Sequence, residues 1–108
     1  MFPRENRLPS YEIPLLFQSG RTASVEGLQL RYRIRTEQAK RFAVVVPLSL
    51  SKKAVVRNRI KRLVREAVRA TVLTLPAGID AVVLVKRNMG WTGIEEMRES
   101  MKKLVSRI

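Results

Sequence analysis

One segment of the sequence concentrates side chains whose chemistry suits the binding of phosphate groups. Residues 54–72 have helical periodicity, and at about 100° per residue their polar side chains gather on one side of the helix. That side and its borders carry one amide and six long cations: Arg57, Asn58, Arg59, Lys61, Arg62, Arg65 and Arg69. A solvated helix face normally mixes charges, whereas the only acid here is Glu66, which can form an i,i+4 pair with Arg62. The pattern predicts a polyanion-binding face, with a merely solvated face as the alternative.

The remainder of this helix fits the same interpretation. Its opposite side is apolar and predicts a buried stripe, which comprises Val56, Ile60, Leu63, Val64, Ala67 and Thr71. Lys52 and Lys53 extend the basic surface before the helix, and Ser51 is a candidate N-cap. Asn58 is a mediocre helix former, so it is either a tolerated surface amide or a partner for a phosphate, a 2′-hydroxyl or a base edge.

Catalysis by the chain itself has little support in the composition. The sequence contains no histidine and no cysteine, which removes the commonest general base, thiol nucleophiles and zinc–thiolate sites. The remaining candidates are carboxylates at Asp80, Glu95, Glu96 and Glu99. Such groups can bind magnesium, but nothing in the sequence brings them near the basic face. We therefore predict no catalytic residue and no metal ligand in this chain.

Length and charge point to a single domain with an anionic partner. The chain has 108 residues, and its 22 basic and 9 acidic side chains give a net charge of +13. Such an excess repels itself in the folded state, and a polyanion partner is the simplest reason for it. The longest apolar runs, residues 42–46 and 81–85, are far shorter than the roughly 20 residues of a membrane span. We expect no membrane association and a cytoplasmic location.

Hydrophobic patterning predicts the elements that position the basic helix. Residues 1–10 are polar with two prolines and are expected to form an extended arm, followed by a short helix over 11–19 that ends at Gly20. Alternation over 28–35 predicts a half-buried strand whose outer side carries Arg31, Arg33 and Arg35.

The second half of the chain adds two buried strands and a final helix. Apolar runs at 42–46 and 79–85 predict the strands, and a capping box at residues 92–95 predicts the start of the last helix. Trp91, just before it, is predicted to pack against a helix, with contact to a nucleic-acid base as the alternative. The order predicts one α+β domain over residues 1–108, a two-layer sandwich with helices packed on a small sheet.

Residues 54–67, which read AVVRNRIKRLVREA, closely resemble the "RNR" signature of the bacterial ribonuclease P protein component. Other segments agree with the family in order: the NRL of residues 6–8, Phe17 followed by Gly20-Arg21, Arg41-Phe42 and the LPAGIDAVV of residues 75–83. The resemblance covers about residues 6–105. It implies the element order αβββαβα, a four-stranded sheet and a left-handed βαβ crossover around the signature helix.

The resemblance also implies a function and its residues. A small basic subunit binds a large catalytic RNA, which removes the 5′ leader of precursor tRNA with magnesium ions held mainly by that RNA. The contacts with this RNA that the resemblance implies are Arg57, Asn58, Arg59, Lys61, Arg62 and Arg65. The charge pattern adds Arg69, Lys52 and Lys53 to the predicted RNA-binding residues. The implied leader cleft, between the first helix and the sheet, takes Phe17, Arg31 and Arg33, with Tyr32 and Phe42 as cleft or core residues. The free protein is expected to be a monomer.

Two departures from the family pattern accompany the resemblance. Many members carry Ser-Lys-Lys-Val-Gly-Lys before the signature helix, where residues 48–53 here read LSLSKK. A second cleft aromatic, four residues before Phe17, is replaced by Ile13. Three rival functions remain: a general RNA- or ribosome-binding protein, a magnesium nuclease using Asp80 and the glutamates, and a helix-turn-helix DNA-binding protein. The last lacks a second helix beside the basic one, because Pro76 and Gly78 lead into a strand.

Overall fold

The computed structural model describes residues 2–88 and 92–108, and over these residues the chain forms three α-helices and a four-stranded sheet. In chain order the elements are α1 (Ile13–Ser19), β1 (Arg21–Val25), β2 (Leu28–Ile34), β3 (Arg41–Val45), α2 (Ala54–Thr71), β4 (Ile79–Val85) and α3 (Ile94–Val105). The strand order is β1-β2-β4-β3, with β3 and β4 parallel and the other pairs antiparallel. The predicted α+β fold and element order are confirmed.

The pleat of the sheet gives its two faces different partners. Alternate residues of β2 and β4, such as Leu30 and Val83, face α2 and α3 and form the main core with Val64 and Met97. The opposite face carries Val82, which packs with Leu16 of α1 and with Leu8. Because α1 has only seven residues, its helical state depends on this packing rather than on intrinsic propensity.

Helix α2 lies across the sheet with its apolar stripe inward, as its periodicity predicts. Ile60, Val64, Ala67 and Thr71 are buried, and Val68 joins them. The N-cap of α2 is Lys53, and no side chain caps it. The Ser51 hydroxyl instead accepts a hydrogen bond from the Lys53 backbone N–H at 3.2 Å, so its role is to stabilise the preceding turn.

The N-terminal segment is more ordered than the predicted extended arm. Its residues Arg4–Asn6 form a 3-10 turn, and Ser10–Glu12 form another before α1. Phe2 is buried against Phe42, with ring centroids 5.5 Å apart, and the Leu8 backbone N–H donates to the Phe42 carbonyl at 2.9 Å. Phe2 and Leu8 anchor the segment along the β3 edge of the sheet. The prediction missed them because the segment is polar overall.

Hydrophobic patterning alone does not predict strand β1, because only Ala23 of its five residues is buried. The last helix begins at Ile94 with Gly93 as N-cap and without a side-chain cap, so the predicted capping box is wrong. The prediction for Trp91 lies outside the described residues. The turn before β4 requires Gly78, which has φ +79° and would place a Cβ 2.4 Å from the Glu37 carbonyl oxygen.

Candidate RNA interface

The solvent-facing side of α2 presents cations that are not neutralised by the protein. Asn58 and Arg62 are exposed, and Lys61 and Arg65 are half-buried through their stems. Over the described residues, these four side chains form no hydrogen bond or ion pair with the protein. With Val55 they line one shallow depression along the helix. We call Asn58, Lys61, Arg62 and Arg65 the α2 basic face.

Other residues predicted to bind RNA surround this face, and some of them also form hydrogen bonds with the protein. Lys52 and Lys53 are exposed at the start of α2, and Arg59 is exposed one turn further on. Arg57 donates from Nη1 to the Ser51 carbonyl at 2.7 Å, so it also holds the preceding turn in place. Arg69 donates to the Glu66 carboxylate at 2.8 Å, which replaces the predicted pairing of Glu66 with Arg62.

A second basic surface lies on the opposite face of the sheet, beside α1. The Arg31 guanidinium sits over the Phe17 ring, with Cζ 5.7 Å from the ring centroid, and donates to the Phe17 carbonyl at 3.3 Å. The Arg31 Nε is buried and has no hydrogen-bond partner among the described residues. Ile13, Ala43 and Val45 pack nearby and give the surface an apolar floor. We call this surface, formed by Ile13, Phe17, Arg31, Ala43 and Val45, the α1 cleft. It brings together an aromatic ring, a cation and a buried N–H donor without a partner among the described residues.

The structure corrects the assignment of two aromatic residues to this cleft. Tyr32 and Phe42 are buried in the main core, on the α2 and α3 side of the sheet. Their β2 and β3 positions alternate with Arg31, Arg33, Arg41 and Ala43, which face α1. The alternation of β2 already separates Tyr32 from Arg31 and Arg33, whereas the continuous apolar run of β3 does not show which face Phe42 occupies. Of the predicted cleft residues, Phe17, Arg31 and Arg33 come together.

An ion-pair network that the sequence did not reveal lies at one end of the cleft. The fully buried Asp80 accepts hydrogen bonds from Arg33, Arg35 and Arg41, with nitrogen–oxygen distances of 2.8–3.0 Å. Glu12, directly before α1, pairs with Arg33 at 2.8 Å and with Arg41 at 3.0 Å. Register across β2, β4 and β3 aligns these residues, because Arg33 and Arg41 both lie opposite Asp80.

The network fixes the ionisation of its members. Burial alone would raise the pKa of Asp80, but the hydrogen bonds from Arg41 and Arg33 outweigh it and lower that pKa below its usual value near 3.8. The hydrogen bond to Asp80 raises the pKa of Arg41 despite its partial burial. Both shifts favour the charged forms of Asp80 and Arg41 at neutral pH.

The structure separates the acids that were candidates for a metal site. Among the described residues, no group of three or more metal-ligating side chains comes together. Asp80 is surrounded by guanidinium groups, whereas Glu95 and Glu99 lie on α3 and pair with Arg98 and Lys102. These positions do not bring together the carboxylates that the nuclease alternative requires. Within the described residues, no helix is long and apolar enough to span a membrane.

The fold and these two surfaces define a small α+β protein that binds nucleic acid. A sequence model of the ribonuclease P family matches residues 2–108. Proteins named ribonuclease P protein component, from Yersinia enterocolitica and Rippkaea orientalis, are 36% and 31% identical to this chain. Their alignments cover 95% of this chain and 87% and 86% of the relatives. The chain therefore belongs to the ribonuclease P protein family.

Solved structures agree with this membership. The ribonuclease P protein from Thermotoga maritima, solved in complex with 1-(4-fluorophenyl)-2-thiourea, superposes with a TM-score of 0.84 at 28% identity. That superposition covers 94% of this chain and 99% of that one. The Staphylococcus aureus protein shares the fold, with a TM-score of 0.81 at 17% identity over 94% and 93% of the two chains. The chain is the protein component of an endoribonuclease that matures the 5′ end of tRNA, and its partner is ribonuclease P RNA.

Proposed function

We propose that this chain uses the α2 basic face to bind ribonuclease P RNA and the α1 cleft to bind the 5′ leader of precursor tRNA. The proposal rests on Lys61, Arg62 and Arg65 of the α2 basic face, which form no hydrogen bond or ion pair with the described residues. Such cations displace counterions from RNA, and each contact adds about 0.7–0.9 to the slope of log affinity against log salt. Arg57, Arg59, Arg69, Lys52 and Lys53 add positive charge around this face.

The α1 cleft suits single-stranded RNA. Phe17 and the Arg31 guanidinium offer planar surfaces on which an unpaired base can stack. The Arg31 guanidinium also places a positive charge beside the ring, which attracts the phosphates of a bound strand. Arg33 lies further along the same face and offers a second cation. Ile13, in place of a second aromatic, leaves Phe17 as the ring available for stacking in this cleft among the described residues.

The chemistry of cleavage belongs to the RNA in this proposal. The one buried carboxylate beside the cleft, that of Asp80, is held by three guanidinium groups and does not suit a cation. Magnesium ions are therefore assigned to the RNA subunit. The proposal also places the protein in the cytoplasm, as a monomer before it assembles with the RNA.

The test of this function is cleavage of precursor tRNA by the cognate RNA at low magnesium concentration, with and without the protein. We expect the protein to restore correct 5′ cleavage and to cleave nothing alone, because its positive charge replaces cations that offset RNA–RNA repulsion. Tight binding of RNA without restored cleavage would instead favour the general RNA-binding alternative. Cleavage by the protein alone would revive the nuclease alternative.

Phe17→Leu tests the leader cleft. Leucine keeps apolar packing on the sheet but loses the aromatic face, and stacking of a base on an aromatic ring contributes about 1–3 kcal/mol. We expect the holoenzyme's affinity for leader-bearing precursor tRNA to fall about tenfold. The affinity for leaderless tRNA and the affinity of the protein for ribonuclease P RNA should remain unchanged. An equal loss of affinity for both substrates would show that the leader does not bind in this cleft.

A further inference from the structure

The ion-pair network beside the α1 cleft connects two elements of the fold. Asp80 of β4 and Glu12, which immediately precedes α1, both form ion pairs with Arg33 and Arg41. The network therefore links the sheet to the start of the helix that forms the cleft wall.

Helix α1 needs such a link. It has seven residues, of which only Leu16 is fully buried. Its other attachments are the apolar contacts of Ile13 and Phe17 and the hydrogen bond from Arg31 to the Phe17 carbonyl. All of these lie inside the helix, whereas Glu12 fixes its start. A short helix anchored at both ends holds the Phe17 ring at a set distance from β2.

The network also orients Arg33 toward the cleft. Its Nε donates to Asp80 at 3.0 Å and its Nη2 donates to Glu12 at 2.8 Å, so two bonds fix the plane of the guanidinium. The third nitrogen, Nη1, makes no hydrogen bond with the described residues. The side chain is 33% exposed, compared with 16% for Arg35 and 19% for Arg41. Arg33 is thus the member of the network that solvent, or a ligand, reaches most easily.

We propose that Glu12 and Asp80 are positioning residues that set the α1 wall and hold Arg33 with one nitrogen free for a phosphate of the leader. This inference rests on the proposed function of the cleft. A guanidinium that is already oriented loses less conformational entropy when it binds a phosphate than a mobile surface arginine does. The leader would then extend from the stack at Phe17 and Arg31 to a phosphate at Arg33, along the outer side of β2.

Glu12→Gln tests the inference because two accounts of Glu12 predict opposite signs. Removing an acid raises the net charge by one, so electrostatics alone predicts tighter binding of RNA. Loss of positioning predicts weaker binding, and only for substrates that carry a leader. We expect the affinity of the holoenzyme for precursor tRNA, relative to leaderless tRNA, to fall about two- to tenfold, the factor for ordering one long side chain on binding.

The matched control is Glu26→Gln, which removes an acid from an exposed ion pair with Arg87 at the opposite end of β2. It makes the same charge change away from the cleft and should leave the leader preference unchanged. A double variant with Arg33→Ala adds a specific readout. If Glu12 acts through Arg33, the two losses will not add.

The outcomes distinguish a positioning role of Glu12 from a simple effect of its charge. A loss of leader preference for Glu12→Gln, with unchanged melting temperature and unchanged affinity for ribonuclease P RNA, supports the inference. If Glu12→Gln leaves the leader preference as unchanged as Glu26→Gln does, the inference is overturned. Phe17→Leu then still tests independently whether the leader binds in the α1 cleft. If Glu12→Gln lowers the melting temperature, Arg33→Lys serves as the test variant instead. Lysine keeps the charge without the planar fork, so an undiminished leader preference in that variant also overturns the inference.

Discussion

Replacing Lys61, Arg62 and Arg65 together with alanine is expected to weaken binding of ribonuclease P RNA by about two to three orders of magnitude at moderate salt. The slope of log affinity against log salt should fall by about two to three, since each phosphate contact contributes about 0.7–0.9. The physical reason is that these cations lack protein partners in the described structure, so their full charge is available to the RNA. The measurement is a binding titration at several salt concentrations.

The same triple variant should not be less stable than the natural sequence. Lys61 and Arg65 are like charges at i,i+4, which destabilise a helix by a few tenths of a kcal/mol, and alanine has the highest helix propensity. The melting temperature is therefore expected to stay constant or rise. A weaker affinity combined with a higher melting temperature would show that this face is maintained for binding at a cost in stability.

The matched control replaces Lys86, Lys102 and Lys103 with alanine. All three are exposed and lie outside α2, and the change lowers the net charge from +13 by the same amount. If this control weakens RNA binding as much as the α2 variant, net charge alone drives the interaction and the α2 basic face loses its assignment. Arg57 is unsuitable for this series, because its hydrogen bond to the Ser51 carbonyl also holds the turn before α2.

The helix that carries this face could be predicted from the sequence because a single element determines it. Apolar and basic residues of α2 separate at helical period, so its buried stripe and its exposed cations follow from the order of residues alone. The strands over 28–34 and 79–85 were found for similar reasons, through alternation and a continuous apolar run. The resemblance to the family supplied the number of strands and the left-handed crossover, whereas the strand order β1-β2-β4-β3 comes from the structure.

The α1 cleft was less accessible to sequence reasoning because several elements build it. Tyr32 and Phe42 are aromatic residues on the right strands, but the pleat turns both into the main core. Asp80 was weighed as a magnesium ligand, yet its three arginine partners come from residues 39–47 positions away along the chain. A signal existed, because an acid inside an apolar strand must be paired when it is buried. Arg33 and Arg35 lie at the end of β2, on either side of Ile34, and Arg41 begins β3.

Asp80→Asn is expected to lower the free energy of unfolding by about 3–5 kcal/mol at neutral pH. The substitution keeps the shape of the side chain but removes the only charge that all three arginines share. Arg33, Arg35 and Arg41 are then left close together with Glu12 and Glu37 as their remaining acids. The measurement is urea denaturation of both proteins at pH 7, with Glu95→Gln, from an exposed pair, as the control expected to change little.

The pH dependence of this difference separates a charge effect from a packing effect. Because the folded-state pKa of Asp80 lies below its usual value near 3.8, its contribution is fully present above that value and is lost as pH falls through the folded-state pKa. The gap between the natural protein and Asp80→Asn should be constant from about pH 8 to pH 5 and should shrink below about pH 4. A gap that persists unchanged at about pH 2 would assign the loss to packing or hydrogen-bond geometry. A gap that closes would show that the charge of one buried carboxylate holds the cleft side of the sheet together.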